Sequence, residues 1–272
     1  YVVYLKRSNS YLRLKQSSGE DIHAKISDYA ETYAKKMSVK DILNSANFDS
    51  YMYPSRYNDE RDMTRYFSFV FIDESEVGEK TNWEVKRESY VGDGVIYAII
   101  PQSQETISNL KSKVAKASES SSLSVFIIPK RYYGIEKIAY EYQAAIALRN
   151  DTDSDLVLYE EYDVICEDLR EVIGQYISGY THPELYKAEY YYGGSLCKIH
   201  RKAALTEKLS DICDRVYGLT PKISNEAVNK DDITSIASNS RSKLITALLR
   251  NQLEPNLGLV GTGQDVFIMR TT

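Results

Sequence analysis

The chain is poor in the residues that build metal sites and nucleophilic active sites. Its three cysteines share no C-x-x-C spacing and its three histidines lie far apart: Cys166, Cys197 and Cys213, and His23, His182 and His200. An odd number of widely spaced cysteines fits a reducing compartment, and a zinc site needs closer ligands. No Ser-His-Asp or Cys-His arrangement can be recognised in the sequence. We expect no metal site and no nucleophilic hydrolase.

Long apolar runs are also missing. The longest, residues 95–100, is far shorter than the roughly 20 residues that cross a bilayer, and no secretory signal opens the chain. We therefore expect a cytoplasmic protein that makes no membrane contact. The chain begins at Tyr1 rather than Met, and strand-like residues stand at both ends. We expect it to be cut from a longer polypeptide.

A phosphate-binding loop is the third missing feature. Residues 67–72, followed by Asp73 and Glu74, have the form of a Walker B strand, in which the Asp holds Mg²⁺ and the Glu orients the attacking water. That chemistry also needs a G-x-x-x-x-G-K-[ST] loop, and the sequence has none. We expect Asp73 and Glu74 to form a polar strand end, with a degenerate or partnered nucleotide site as the alternative. We expect no enzyme activity and no cofactor.

Charge is unevenly distributed along the chain. Residues 150–190 hold eleven acidic against two basic residues, a net charge of −9, whereas residues 191–272 hold eleven basic against eight acidic residues, a net charge of +3. This pattern argues against a surface that is coated uniformly for nucleic acid, so any basic surface must be local. The acidic run is typical of a solvated helix face, and docking to a basic partner is the alternative.

Alternating strands and helices indicate an α/β domain over residues 61–150. Apolar runs predict three buried strands, and apolar residues at helical spacing predict two helices: strands at 66–72, 95–100 and 123–128, and helices at 103–116 and 135–148. Pro101 and Pro129 end two of the strands, and a helix follows each proline. Because strands that alternate with amphipathic helices pair in parallel through right-handed crossovers, we expect a small parallel sheet.

The flanking regions predict β-ribbons and helices. Residues 1–60 should form an N-terminal β-ribbon, from a hairpin signature in residues 1–15, followed by helices. Residues 151–200 should form a helical hairpin arm and a second β-ribbon. Its helix, residues 152–178, carries a heptad-like stripe: Leu158, Tyr162, Ile165, Leu169, Val172 and Tyr176. This stripe should pack antiparallel against residues 135–148.

Residues 201–272 have the element order of a winged helix. Three helices, the last at residues 235–251, precede a glycine-rich hairpin at residues 257–269. The last helix would be the recognition helix, so five basic residues are candidates for contact with double-stranded DNA: Lys222, Lys230, Arg241, Lys243 and Arg250. Winged helices also serve as spacers between proteins, and that alternative stays open.

Tyrosine is unusually frequent, with 24 tyrosines against six phenylalanines and one tryptophan. Tyrosine together with many Asn, Ser and Lys residues is typical of an AT-rich coding sequence. The run Tyr190, Tyr191 and Tyr192 has a second interpretation as an interface, because tyrosine combines rigid apolar area with a polar tip.

Three stretches of the sequence resemble one family. They are Tyr53-Pro-Ser-Arg-Tyr-Asn58 with Met63-Thr-Arg-Tyr-Phe67, the middle region with Ile99-Ile-Pro101 and Ile127-Ile-Pro129, and Tyr217-Gly-Leu-Thr-Pro221 with Asn225, Glu226 and Asn229, followed by Leu257-Gly258-Leu259. Together they resemble the region downstream of the ATPase core in the large P-loop ATPases of bacterial phage-defence islands, the BrxC and PglY type of the BREX and Pgl systems.

This resemblance implies a role in phage defence, with the nucleotide-binding core elsewhere in the polypeptide. The expected function is to couple nucleotide-driven movement of that core to other defence-system proteins or to DNA. The expected partners are the ATPase core of the same polypeptide, other defence proteins and double-stranded DNA. A direct DNA-binding winged-helix module is the alternative. No catalytic residue can be carried over, and Asn225, Glu226 and Asn229 have no assigned role beyond capping the helix near Asp231.

Overall fold

The described part of the chain forms two compact units. The computed structural model describes residues 21–47, 50–78, 80–152 and 155–220, with residues 242, 245 and 246. The first unit comprises Tyr1–Tyr51 and Ser68–Lys202, and the second comprises Met52–Phe67 and Ala203–Thr272. The chain therefore passes between the units three times. The expected division at residues 60, 150 and 200 stays a prediction.

The described residues contain eight α-helices and six strands. The helices are α1 (Ile22–Ala34), α2 (Val39–Ala46), α3 (Ser55–Arg61), α4 (Trp83–Glu88), α5 (Thr106–Glu119), α6 (Ile135–Asp151), α7 (Leu156–Thr181) and α8 (Lys202–Val216). The strands are β1 (Tyr51–Met52), β2 (Phe67–Asp73), β3 (Gly94–Ile100), β4 (Ser124–Pro129), β5 (Ala188–Tyr192) and β6 (Ser195–Cys197). Two short 3₁₀ turns follow β2 and α7, at Glu74–Glu76 and Pro183–Leu185.

The strands form one mixed sheet in the order β1-β2-β3-β4-β5-β6. Strands β3 and β4 are parallel, with Val95 opposite Ser124, whereas β5 runs antiparallel to both β4 and β6. Strands β2 and β3 run in the same direction, because the start of β2 lies beside the start of β3 and the end of β2 lies beside the end of β3. Ser68 near the start of β2 accepts a hydrogen bond from Gly92 N, and Glu74 after β2 accepts one from Gln102 N after β3. The α/β class and the strand-proline-helix alternation are confirmed. The expected parallel sheet is correct only for β2, β3 and β4, because two antiparallel helices, α6 and α7, separate β4 from β5 and return β5 antiparallel to β4.

Helices cover both faces of the sheet. All seven residues of β3 and all six of β4 are buried, which explains their continuous apolar runs. On one face, Trp83 of α4 and Leu110 of α5 pack against alternate sheet residues, Tyr97 and Phe126 among them. On the other face α7 contacts β4, and the Tyr180 hydroxyl of α7 donates to the Ile99 carbonyl at 3.0 Å.

The predicted helical hairpin is present as α6 and α7. Tyr162 and Cys166 of α7 are buried against Ala145 and Leu148 of α6 and against α1, and Arg149 is paired with Asp163 at 2.8 Å. Since α7 also packs on the sheet, the hairpin is a layer of the α/β unit rather than a free arm.

The second predicted ribbon is also present, and it extends the sheet. Gly193 and Gly194 form its turn with φ angles of +57° and +79°, values that favour glycine because a Cβ would clash. Tyr190, Tyr191 and Tyr192 of β5 are 2–7% exposed. They therefore belong to the core of the first unit and do not offer an interface.

Ion pairs to one arginine join α3 to α8 in the second unit. Arg56 of α3 contacts Glu207, Asp211 and Asp214 of α8 at 2.6, 3.0 and 2.8 Å. Their spacing of four and three residues places these carboxylates on one helix face. Arg61, whose side chain is 5% exposed, contacts Asp214 at 2.7 Å. The segment from Tyr53 to Asn58, which contributes to the family resemblance, thus packs α3 against α8.

Several expectations fall on residues outside those described. They are the N-terminal hairpin in residues 1–15 and the winged-helix elements after residue 220, of which only residues 242, 245 and 246 are described, as helical. The first expected helix of that region is described as α8. None of the helices in the described ranges is long and apolar enough to cross a membrane.

Gly92 should not tolerate a side chain. A Cβ at this position would lie 2.6 Å from Ser68 N and 2.8 Å from Gly94 O, both backbone atoms. We expect Gly92→Ala to lower the free energy of unfolding by about 1–3 kcal/mol, because the backbone at Ser68 and Gly94 must shift to make room for the Cβ atom. Urea unfolding followed by circular dichroism measures this change.

Gly174→Ala is the matched control. No atom lies within 4 Å of the Cβ position at this exposed site inside α7. The helix should gain roughly 0.5–1 kcal/mol from the substitution. Equal unfolding free energies for Gly92→Ala and the wild type would contradict the close contact between Gly92 and the backbone at Ser68.

Candidate functional site at the carboxyl edge of the sheet

Strands β2, β3 and β4 end at one edge of the sheet. Ligands of α/β proteins commonly bind outside this carboxyl edge. The loops here carry the predicted Walker B-like pair, Asp73 and Glu74, and the two turns that begin at Pro101 and Pro129. A functional site is therefore expected at this edge.

Asp73 and Glu76 close the turn after β2. The Asp73 side chain accepts from the Glu76 backbone N–H, and Glu76 accepts from the Asp73 N–H at 3.0 Å. Lys40 of α2 and Lys86 of α4 each donate to one Glu76 oxygen at 2.7 Å. Burial opposes ionisation of Glu76, but the hydrogen bonds from the two lysines outweigh it and lower its pKa to about 2. Burial raises the pKa of Asp73 above its ordinary value.

Glu74 ties β2 to the start of α5. It is 8% exposed and accepts from Gln102 N at 3.0 Å and from the Thr106 hydroxyl at 2.6 Å. The Asp73 carboxylate is thus engaged in a hydrogen bond within its own turn, and the Glu74 carboxylate in hydrogen bonds to the segment that follows β3. Within the described residues no group of His, Cys, Asp or Glu side chains could hold a metal ion.

The loop after β4, which begins at Pro129, leads to a pocket on the face of the sheet that α7 covers. A cavity of about 190 Å³ lies beside the end of β4, between α6 and the last turns of α7. Its walls are mainly apolar and aromatic: Pro129, Tyr133, Ile135, Ile138, Val172, Gln175, Tyr176, Gly179, Tyr180 and Lys187. We refer to these residues as the tyrosine pocket.

Hydrogen bonds hold the aromatic wall of the tyrosine pocket in place. The Tyr180 hydroxyl donates to the Ile99 carbonyl, so its own oxygen accepts from the Tyr176 hydroxyl at 2.8 Å. The rings of Tyr176 and Tyr180 are 5.3 Å apart, and the ring of Tyr133 lies 6.2 Å from that of Tyr176. Burial raises the pKa of both Tyr176 and Tyr180, so both phenols stay neutral at physiological pH.

The rim of the pocket is open and carries charge. Tyr133 is 47% exposed and Val172 is 44% exposed. Lys187 lies at the rim with its side chain along Gly179, 3.4 Å from the position of a Cβ there. Among the described residues its ammonium group has no ion-pair partner.

The tyrosine pocket was not predicted from the sequence. The heptad-like stripe placed Val172 and Tyr176 against α6, as it did Tyr162. The signal that could have found the pocket is the tyrosine pair at i and i+4, Tyr176 and Tyr180, because it continues past the length that α6 can cover.

The predicted DNA-contacting residues cannot be placed. Lys222, Lys230, Arg241, Lys243 and Arg250 lie outside the described residues, as do Asn225, Glu226 and Asn229. Comparison of the chain with family models, with curated proteins and with solved structures found no match. The resemblance to phage-defence ATPases therefore stays a prediction from sequence motifs.

Glu76 should make the fold sensitive to acid. Because its folded-state pKa is lowered to about 2 from 4.5, its contribution to stability is complete above pH 4.5 and is lost as the pH falls towards 2. We expect Glu76→Gln to unfold at lower urea concentration than the wild type at pH 7. The difference should shrink between pH 4.5 and pH 2.

Glu88→Gln is the control for this experiment. Glu88 is 68% exposed and lies 3.9 Å from Arg87, so its loss should change the urea midpoint little at any pH. A gap between wild type and Glu76→Gln that is the same at pH 7 and pH 2.5 would contradict the assigned role of Glu76.

Proposed function

We propose that this chain is a non-catalytic internal region of a large phage-defence P-loop ATPase. In this proposal it couples nucleotide-driven movement of an adjacent core to partner proteins or DNA. The observation that carries the non-catalytic part is the engagement of Asp73 and Glu74 in hydrogen bonds within the fold. The phage-defence part rests on the sequence motifs alone.

The environment of Glu74 is suited to structure and poorly suited to hydrolysis. A Walker B Glu must reach the attacking water beside the γ-phosphate. Glu74 instead points at Gln102 N and Thr106, with 8% of its surface exposed. Freeing it for catalysis would break its hydrogen bonds to the Gln102 amide and the Thr106 hydroxyl, each typically worth about 0.5–1.5 kcal/mol.

The connections between the two units support a coupling role. The chain passes between them at residues 51–52, 67–68 and 202–203. Such a chain is suited to passing a displacement on, which is what a non-catalytic region of an ATPase would do.

The chain by itself should not bind MgATP. We expect a fluorescent ATP analogue, titrated with the chain in the presence of Mg²⁺, to give no saturable signal, because the carboxylates are engaged and no phosphate loop is present. Saturable binding that Asp73→Asn abolishes would contradict the proposal and favour a degenerate nucleotide site.

The full-length coding sequence is the second part of this test. A Walker A loop should be encoded upstream of Tyr1. If the complete polypeptide has no such loop, the ATPase proposal fails whatever the titration gives.

Direct DNA binding is a second candidate function, favoured by the net charge of +3 in residues 191–272. If the predicted recognition helix contacts phosphates, a labelled duplex should bind with a log-log salt slope of about −0.9 per contact. Replacing both Arg241 and Lys243 by Glu should then weaken binding and flatten that slope. If the double variant binds the duplex as tightly as the wild type does, Arg241 and Lys243 do not contact DNA.

A further inference from the structure

We propose that the carboxyl edge of the sheet binds single-stranded nucleic acid where β4, β5 and β6 meet. Six exposed cations gather there, and we refer to them as the basic edge: Lys130, Arg131, Lys187, Lys198, Arg201 and Lys202. All six belong to the first unit. The proposal goes beyond the function proposed above, because it uses neither the Walker B-like pair nor the predicted recognition helix.

The sheet topology brings the basic edge together from three segments. The end of β4 and the start of β5 lie side by side, and Lys130 N donates to the Lys187 carbonyl at 2.8 Å. Strand β6 runs antiparallel to β5, so its end returns to the start of β5. The rings of Tyr186 before β5 and His200 after β6 are accordingly 5.6 Å apart. Because neighbouring strands are about 4.8 Å apart, the cations form one continuous surface.

The basic edge keeps a positive excess after the neighbouring carboxylates are counted. Within the described residues no ion pair involves any of its six cations. Glu189 of β5 is offset by Lys111, which lies 2.9 Å from it. Four other carboxylates stand on the flanking segments: Glu105, Glu136, Glu171 and Glu184. Six cations against these four carboxylates leave a net charge of +2.

Most of the flanking carboxylates lie away from β5 and β6. Glu136 accepts from the Tyr132 hydroxyl, and Tyr132 N donates to the segment after β3 that contains Glu105. These two carboxylates are therefore on the β3 side, two strands from β5. Glu171 is ten residues before the end of α7, or roughly 15 Å along the helix. Residues 186–202 hold four Lys or Arg against one Glu, so the excess is concentrated over β5 and β6.

Tyr186 has a backbone conformation that favours glycine. Its φ of +55° and ψ of +24° strain a residue with a bulky side chain. The side chain is 58% exposed, so burial in the core does not offset the strain. Strained residues of this kind occur where a side chain binds a ligand. The ring lies between the cations, with the Lys130 ammonium 5.9 Å from its centre.

Exposed rings among cations select single-stranded nucleic acid as the ligand. Proteins that bind single strands without sequence preference combine a basic surface for the phosphates with aromatic rings on which bases stack. Tyr186 and His200 are the exposed rings of this surface. A duplex keeps its base faces inside its own stack. An acidic peptide or an anionic lipid surface would use the cations and leave the rings without a stacking partner.

The experiment is a fluorescence-anisotropy titration of the complete chain with a labelled oligothymidine of about twelve nucleotides, a length that a single-strand site covers. Thymidine is chosen because it does not pair with itself. We expect saturable binding that weakens with salt, with a log-log slope of about −0.7 per phosphate contact. An unlabelled duplex of the same length should compete more weakly than unlabelled oligothymidine.

Tyr186→Gly separates binding from stability. Glycine adopts the positive φ without strain, so the urea midpoint should not fall below that of the wild type. Affinity for oligothymidine should fall at least about fivefold, because one base loses its stacking partner. Tyr186→Phe keeps the ring and should bind as tightly as the wild type. A loss of binding in a variant that is as stable as the wild type cannot come from damage to the fold.

Two charge variants test the cations. Lys187→Gln and Arg201→Gln each remove one exposed cation, so each should weaken binding and make the salt slope shallower by about 0.7. Lys113→Gln is the matched control, because it removes an exposed lysine from α5, which packs on the face of the sheet opposite α7. It should leave both the affinity and the slope unchanged.

Three results would overturn the proposal. The first is no saturable binding of oligothymidine in low salt. The second is binding that Tyr186→Gly, Lys187→Gln and Arg201→Gln leave unchanged. The third is displacement of oligothymidine by polyglutamate, or by phosphatidylserine vesicles of equal total charge, as effective as by unlabelled oligothymidine, which would assign the basic edge to an acidic protein or a lipid surface. The MgATP titration and the full-length coding sequence test the proposed function separately, so the two failures are distinguishable.

Discussion

Burial of β3 and β4 on both faces is the constraint on which the rest of the first unit depends. A strand without a solvent face must be apolar throughout, and polar groups near its ends must find partners inside the protein. Glu74 is the example, because it accepts from both Gln102 N and Thr106 just beyond β3. The same requirement places Glu76 between Lys40 and Lys86. Glu74, which belongs to the Walker B-like pair in the sequence, thus joins the end of β2 to the segment that follows β3.

Tyrosine meets the same constraint in the core. Its ring fills the space of a phenylalanine, and its hydroxyl group reaches a carbonyl group at the edge of an element. Tyr180 reaches the Ile99 carbonyl, Tyr190 the Tyr180 carbonyl and Tyr192 the Ser122 carbonyl. Whatever the coding bias behind the tyrosine content, these phenols join α7 to β3 and β5.

The elements that depend on local pattern were predictable, and the sites that depend on tertiary arrangement were not. The runs that became β2, β3 and β4 and the helices after Pro101 and Pro129 were found from periodicity. That β5 joins β4 could not be found, because no local pattern encodes the partner of a strand. The role of Arg56 was hidden for the same reason, since Glu207, Asp211 and Asp214 lie about 150 residues away.

The tyrosine pocket follows from a difference in helix length. Helix α6 has 17 residues and α7 has 26, so α7 is longer by nine residues, or roughly 13 Å at 1.5 Å per residue. The two helices diverge from one short connection, and α6 begins at Ile135, which lies about as far before that connection as Val172 lies after it. Beyond Val172, α7 extends past the start of α6, and its apolar stripe continues over Tyr176 to Tyr180. The end of β4 and Tyr133 cover this stripe only in part, so the remaining space is the cavity. A stripe that continues past its helical partner therefore creates both the apolar wall and its opening.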